Sequence, residues 1–332
     1  MANSVNGVFN DFMKNIVNLD SEKTKKARAS RDWLVEKIHT FSEKDDFPYL
    51  CDEFDKYFGS FARKTKIREL DDIDMMIGLN AQGSSYLDSG GKVELTVASD
   101  ANNLLDLCHD NTQKLNSRKV INRFISSLKD ISQYGNAEMN RRGEAATLKL
   151  NSYTWNFDIV PCFFTKPEYD GRTYYLIPDG SGNWKKTDPR IDGERVSIIN
   201  QKHSGKVLNI IRIMKYWNRR ATMPSMGSYA FECMILDYYS SKENCSDYID
   251  LEVKSLFQHI YTAVYSSIYD PKNIQGDLNT LIDTDRTKIS NRALADYNKA
   301  VEAWNKEQAG DHKAAIKKWK EIFGSEFPDC TE

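Results

Sequence analysis

No stretch of this 332-residue chain approaches the ~18 consecutive apolar residues of a membrane span, and its mean hydropathy is −0.61. The first twenty residues, MANSVNGVFNDFMKNIVNLD, lack the basic stretch and apolar block of a secretory leader, so a cytoplasmic protein with no membrane partner is expected. The six cysteines form no C-x-x-C, and Cys108-His109 is an isolated pair. That speaks against a zinc module and for reduced thiols. The histidines are scattered, which leaves a Ser/His or Cys/His nucleophile without support. A net charge of −2 gives no bulk electrostatic grip on long nucleic acid. A local basic groove stays open at Arg63, Lys64, Lys66 and Arg68, while Arg141 and Arg142 read as surface charge. There is no internal repeat and no long low-complexity tract.

What the chain does have is GSFARKTKIRELDDIDMMIGL, from Gly59 to Leu79. Alternation in its second half predicts a strand with Ile73, Met75, Ile77 and Leu79 on one face and Asp72 and Asp74 on the other. Carboxylates two positions apart on a strand are roughly 6–7 Å apart at about 3.3 Å per residue, a spacing that can grip a pair of hard cations from one side. Gly59-Ser60 can sit at a strand-to-helix turn, where N–H groups and a hydroxyl hold phosphate oxygens. Each half alone has an ordinary reading, a solvated face or a loop. Together they point to metal-dependent chemistry on a nucleoside triphosphate.

Residues 5–19 and 21–43 read as helices, and 53–58 as a short strand feeding Gly59. The stretch 81–92 reads as a Gly/Ser-rich loop, and 117–132 as a helix. Strands are expected at 144–150, 154–164 and 172–178, with hairpin character at Asn151-Ser152. Pro161 is expected to confine its strand to an edge or an ending. From about residue 196 the pattern is helical, at 207–217, 227–241, 249–268, 285–308 and 311–323. An α+β, bilobal fold follows, with a mixed-sheet catalytic lobe (1–195) and an all-helical lobe (196–332) closing a nucleotide cleft. The tail from Phe327 to Glu332 is expected to be free.

Asp158 lies in the mostly apolar run Trp155-Asn156-Phe157-Asp158-Ile159-Val160-Pro161. It is either a third carboxylate for a metal site or a buried Asp capping a turn near Pro161. Converging carboxylates without cations would suffer repulsion and desolvation.

Gly59-Ser60, Asp72-x-Asp74, Asp158 followed by Ile-Val-Pro, and Lys215-Tyr216-Trp217 occur in that order. The chain resembles the polymerase-β-type nucleotidyltransferases, and within them the CD-NTases (SMODS-type synthases) of antiphage defence, bacterial relatives of the dinucleotide cyclase and of cGAS. The resemblance runs from about residue 50 to about 305 and includes Tyr175-Leu176-Ile177-Pro178, Asp188-Pro189 and Gly227-Ser228-Tyr229-x-Phe231-Glu232.

The resemblance implies that Asp72 and Asp74 hold two Mg²⁺ ions, with Mn²⁺ able to substitute. Asp158 would complete the site and favour deprotonation of the attacking ribose hydroxyl. It further implies that Ser60 and the Gly59 turn contact the donor triphosphate. Lys215 and Ser228 would meet the β- and γ-phosphates, and Tyr229 would stack on a base. Without it, Lys215 reads as a solvated helix lysine, Ser228 as an N-cap and Tyr229 as a core aromatic. The implied product is a cyclic di- or trinucleotide second messenger read by a separate effector in CBASS defence. An operon-encoded regulatory partner is compatible with this, and no obligatory nucleic acid is signalled. A linear oligonucleotide synthase, an RNA or protein nucleotidyltransferase, and a catalytically dead nucleotide-binding module are the competing readings.

Overall fold

The structure is a computed structural model and describes residues 4–330. Thr331 and Glu332, at the end of the tail, lie outside the described residues. The strands are β1 (Lys56–Tyr57), β2 (Asp72–Gly78), β3 (Ser85–Ser89), β4 (Lys92–Thr96), β5 (Glu138–Arg142), β6 (Ala145–Lys149), β7 (Asn156–Phe164), β8 (Tyr175–Pro178) and β9 (Trp184–Thr187). The helices are α1 (Val5–Phe12), α2 (Ser21–His39), α3 (Gly59–Ala62), α4 (Asn102–Leu105), α5 (Ser117–Lys129), α6 (Pro189–Lys202), α7 (Val207–Asn218), α8 (Ser228–Ser241), α9 (Ile249–Ala263), α10 (Asp283–Gln308) and α11 (His312–Phe323). This is the expected α+β class, with a mixed sheet and a helical C-terminal region. Among the described residues no helix is long and apolar enough to cross a membrane.

The chain divides into two compact units. One is made of Ser21–Arg63 and Glu69–Gly193 and holds the sheet; the other is made of the residues up to Asp20, Lys64–Arg68, and those from Glu194 on. The sheet runs β1-β2-β7-β8-β9-β4-β3, with β5 and β6 branching from β7. Its β2–β7 pair is parallel and its other pairs are antiparallel. One face of β2 and β7 carries Ile73, Met75, Ile77, Phe157, Ile159 and Phe163, all buried. Helix α5 contributes Val120, Ile121, Phe124 and Leu128 at helical spacing to the buried set, and Asn116 caps it by accepting from the Arg118 N–H at 3.0 Å.

Two local expectations change. The stretch 81–92 is not all loop, because Gly90 and Gly91 (φ 65° and 89°) turn β3 back onto β4 as a hairpin. The hairpin character expected at Asn151-Ser152 is found, since β6 and β7 pair antiparallel from Lys149 opposite Asn156, and a tighter hairpin turns at Gly143 (φ 55°) between β5 and β6. Pro161 sits inside β7, paired on both sides of that strand, not at an edge or an ending. Cys162 turns its carbonyl to β2, accepting from the Leu79 N–H at 2.8 Å, so residue 161 faces the other flank. There the β6 pairing has stopped at Ile159 and the β8 pairing starts at Phe163, so no ladder bond is lost for want of a proline N–H.

In the helical unit one core joins α1, α7, α8, α9, α10 and α11. The tail is anchored here, contrary to the expectation of a free end. Phe327 is fully buried, with its ring 5.1 Å from Phe9, 4.9 Å from Phe12 and 5.6 Å from Phe323. Apolar contact of four rings outweighs the entropy of a short terminal segment. Phe327→Ala is expected to cost about 3–5 kcal/mol, read as a lower urea midpoint. An unchanged midpoint would show that the ring contributes nothing.

Candidate active site

Strand β2 places Asp72 and Asp74 on the face opposite Ile73 and Met75, and the parallel register sets Asp72 beside Asn156 and Asp74 beside Asp158. Two acids from one strand and one from its neighbour therefore share a face. Asp72, Asp74 and Asp158 are half-buried, and each offers a carboxylate oxygen within 4.8 Å of the others. Were all three ionised, each pair would repel by roughly 3 kcal/mol at an effective dielectric of about 20. An all-carboxylate set suits a hard divalent cation such as Mg²⁺ or Mn²⁺, which would remove that repulsion. Further along the same face the polarity changes: Met76, Val160 and Cys162 form a small apolar cluster with Ala145, Tyr175 and Ile177.

Gly59 opens the short helix α3 directly after β1, which pairs with the Met75–Met76 part of β2. Its φ is 71°, and a Cβ built on it would lie 1.8 Å from Asp74 Oδ2. The glycine thus serves both the turn and the close approach to Asp74. Ser60 follows at the second position of α3.

The far end of β2 is pinned as well. The Gly78 N–H donates to Asp55 Oδ1 at 2.8 Å, and His39 Nε2 lies 2.7 Å from Asp55 Oδ2. Burial pushes the Asp55 carboxyl above its usual range, with the Gly78 N–H and His39 opposing the shift. Asp158 has a hydroxyl partner that sequence reading missed: Thr147 Oγ1 donates to Asp158 Oδ1 at 2.6 Å. The two are directly opposite in the β6–β7 pair. Only the register reveals this; an isolated Thr in a strand carries no such signal.

The remaining expected residues belong to the helical unit. Lys215, on α7, is 5% exposed and pairs with the buried Glu232 of α8 at 2.5 Å, so it is not a solvated helix lysine. Thr65 joins them, accepting from Lys215 Nζ at 3.2 Å and donating to Glu232 Oε2 at 2.8 Å. Its segment is tied down on either side: Ile67 enters the helical core and Arg68 Nε donates to the Asn18 carbonyl at 3.0 Å. Arg68 is therefore an anchor here. Ser228 is exposed at the first position of α8, where Gly227 is the N-cap. Tyr229 is half-buried. Lys272 lies 4.2 Å from its ring centroid and donates to its hydroxyl. Lys272 is in turn paired with the buried Asp270 at 2.9 Å. Burial raises the Asp270 carboxyl, but Lys272 and the N–H groups of Gln275 and Lys272 outweigh it and hold the group below its usual range.

No protein-family model matches the chain. It is 45% identical over 336 residues to a probable cyclic nucleotide synthase of Bacillus cereus strain VD146, covering 99% of each. Among solved structures, Escherichia coli MS115-1 CdnC in complex with HORMA-deltaN is similar with a TM-score of 0.70 at 17% identity, over 97% of both chains. The apo form of Vibrio cholerae DncV gives 0.70 at 12% identity, over 98% of this chain and 97% of that one. At those identities the two structures speak for the fold.

Proposed function

The chain belongs to the CD-NTase family of nucleotidyltransferase enzymes, and on that premise we propose that it joins nucleoside triphosphates into a cyclic di- or trinucleotide second messenger for CBASS antiphage defence. The observation that carries this reading is the convergence of Asp72, Asp74 and Asp158 beside a glycine turn too close to Asp74 to admit a side chain.

Asp72 and Asp74 hold the catalytic cations, and Asp158 completes the set. Two Mg²⁺ ions, or Mn²⁺, supply Lewis-acid stabilisation of the entering and leaving oxygens when bound. Asp158 favours loss of the proton from the attacking ribose hydroxyl. The N–H groups of the Gly59 turn and the Ser60 hydroxyl hold the donor triphosphate in line, so that the hydroxyl meets the α-phosphorus and pyrophosphate leaves. Lys215 and Ser228 receive the β- and γ-phosphates, and Tyr229 stacks on a base. To serve phosphate, Lys215 must share or exchange its contact with Glu232, and Thr65 keeps a hydroxyl beside both. Ring closure is a further cycle on the linear intermediate, the second for a dinucleotide and the third for a trinucleotide. We place the enzyme in the cytoplasm, its product read by a separate effector and its activity open to an operon-encoded regulator.

The test is product analysis. The protein is incubated with labelled ATP, GTP, CTP and UTP, singly and mixed, with Mg²⁺ or Mn²⁺, and products are identified by mass after phosphatase treatment. A phosphatase-resistant cyclic species is the expected result. Linear products alone would replace this reading with an oligonucleotide synthase.

A further inference from the structure

We propose that Thr147 is a positioning residue for the third carboxylate: its hydroxyl fixes Asp158 so that one carboxylate oxygen is held by the sheet and the other is presented to the cation and the attacking hydroxyl. This inference rests on the reading of Asp72, Asp74 and Asp158 as the metal-binding set.

Two rows of side chains cross the shared face of β5, β6, β7 and β2. One is Glu138, Lys149, Asn156 and Asp72; the other is Asn140, Thr147, Asp158 and Asp74. In the second row the sheet register itself delivers Thr147 to Asp158, and the resulting bond is 2.6 Å from Oγ1 to Oδ1. It is the one hydrogen bond to the Asp158 side chain among the described residues. A carboxylate next to two others would otherwise rotate away from them, because all three carry the same charge when ionised. A hydroxyl donor opposes that rotation in two ways. It withdraws negative charge from one oxygen, and it sets the carboxylate plane. Threonine suits the task, since its branched Cβ restricts χ1 and favours a strand, so the donor itself is held. In the other row the place of Thr147 is taken by Lys149, which is exposed and pairs with Glu138 of β5 at 3.4 Å.

The test compares Thr147→Val, which keeps the shape and loses the donor, with Thr147→Ser, which keeps the donor. Asp158→Asn is measured in parallel. The readouts are kcat, KM for the triphosphate, Mn²⁺ affinity by electron paramagnetic resonance without nucleotide, and Tm. Thr147→Val is expected to lower kcat and Mn²⁺ affinity about tenfold or more, the usual range for a group that orients a metal ligand, with KM and Tm unchanged. Thr147→Ser is expected to recover both to within about threefold of the natural protein. Natural kcat and Mn²⁺ affinity in Thr147→Val, with Asp158→Asn inactive, would overturn the inference alone. Losses in Thr147→Ser as deep as those in Thr147→Val would do the same, as would a fall in Tm that accounts for the loss. An active Asp158→Asn would instead overturn the reading of the acidic set, and this inference with it.

Discussion

Asp72→Asn/Asp74→Asn is expected to make no detectable product, a loss of roughly 10³-fold or more, while remaining at least as thermally stable as the natural protein. The two halves of this expectation come from one geometry. Three carboxylates with oxygens within 4.8 Å of one another repel when ionised and unoccupied. Replacing two of them by amides of the same shape removes that repulsion, so the fold gains or breaks even. The same change removes the donors that hold the cations, which carry several kcal/mol of transition-state stabilisation, or about 10³-fold in rate. Thermal melting with and without Mg²⁺ separates the effects. The natural protein should gain Tm with Mg²⁺ by mass action, and the variant should not. A variant that keeps its synthesis rate would remove the acidic set from the mechanism.

Gly59→Ala is expected to lower kcat about 100-fold or more, because a displacement of about 1 Å at a reacting centre can cost that much. Two costs coincide at this position. Alanine at φ 71° is strained by about 1–2 kcal/mol, and its Cβ would stand 1.8 Å from Asp74 Oδ2. No rotation of an alanine relieves that overlap, so either the turn or the Asp74 carboxylate must move. Gly90→Ala is the control. Gly90 has nearly the same φ, 65°, with nothing within 4 Å of the added carbon. It should lose about 1–2 kcal/mol of stability and no activity. Equal activity losses in both variants would show that backbone strain, not the approach to Asp74, is responsible.

The acids were legible in the sequence because strand alternation is a local rule, and Asp72, Ile73, Asp74 and Met75 obey it. The apolar surroundings of Asp158 left two readings open, a metal-site carboxylate or a turn cap, and its convergence with Asp72 and Asp74 is seen only in the structure. The α+β class followed from the change of periodicity near residue 196. What escaped was what depends on register and on distant partners. Thr147 meets Asp158 only through the pairing of β6 with β7. Pro161 reads as the mark of an edge or an ending because the gap between its two neighbours on one flank cannot be read from a single strand. Without the resemblance Lys215 reads as solvated, because Glu232 is on another helix, and Phe327 reads as free because its pocket is built from α1 and α11. Turn chemistry at Gly90-Gly91 was visible, and β4 alternates, with Val93 and Leu95 buried between Lys92, Glu94 and Thr96; what hid the hairpin is β3, which is too polar and exposed to show a period.

The path of the chain bears on how the protein can be cut. It leaves the helical unit after Asp20, returns for Lys64–Arg68, leaves again, and comes back at Glu194. A fragment starting at residue 69 would carry Asp72, Asp74 and Asp158 but leave Gly59 behind. One starting at residue 196 would lack Val5, Val8, Phe9 and Phe12, which fill its interior. Each unit is built from separate stretches of chain, so no single cut releases either one whole.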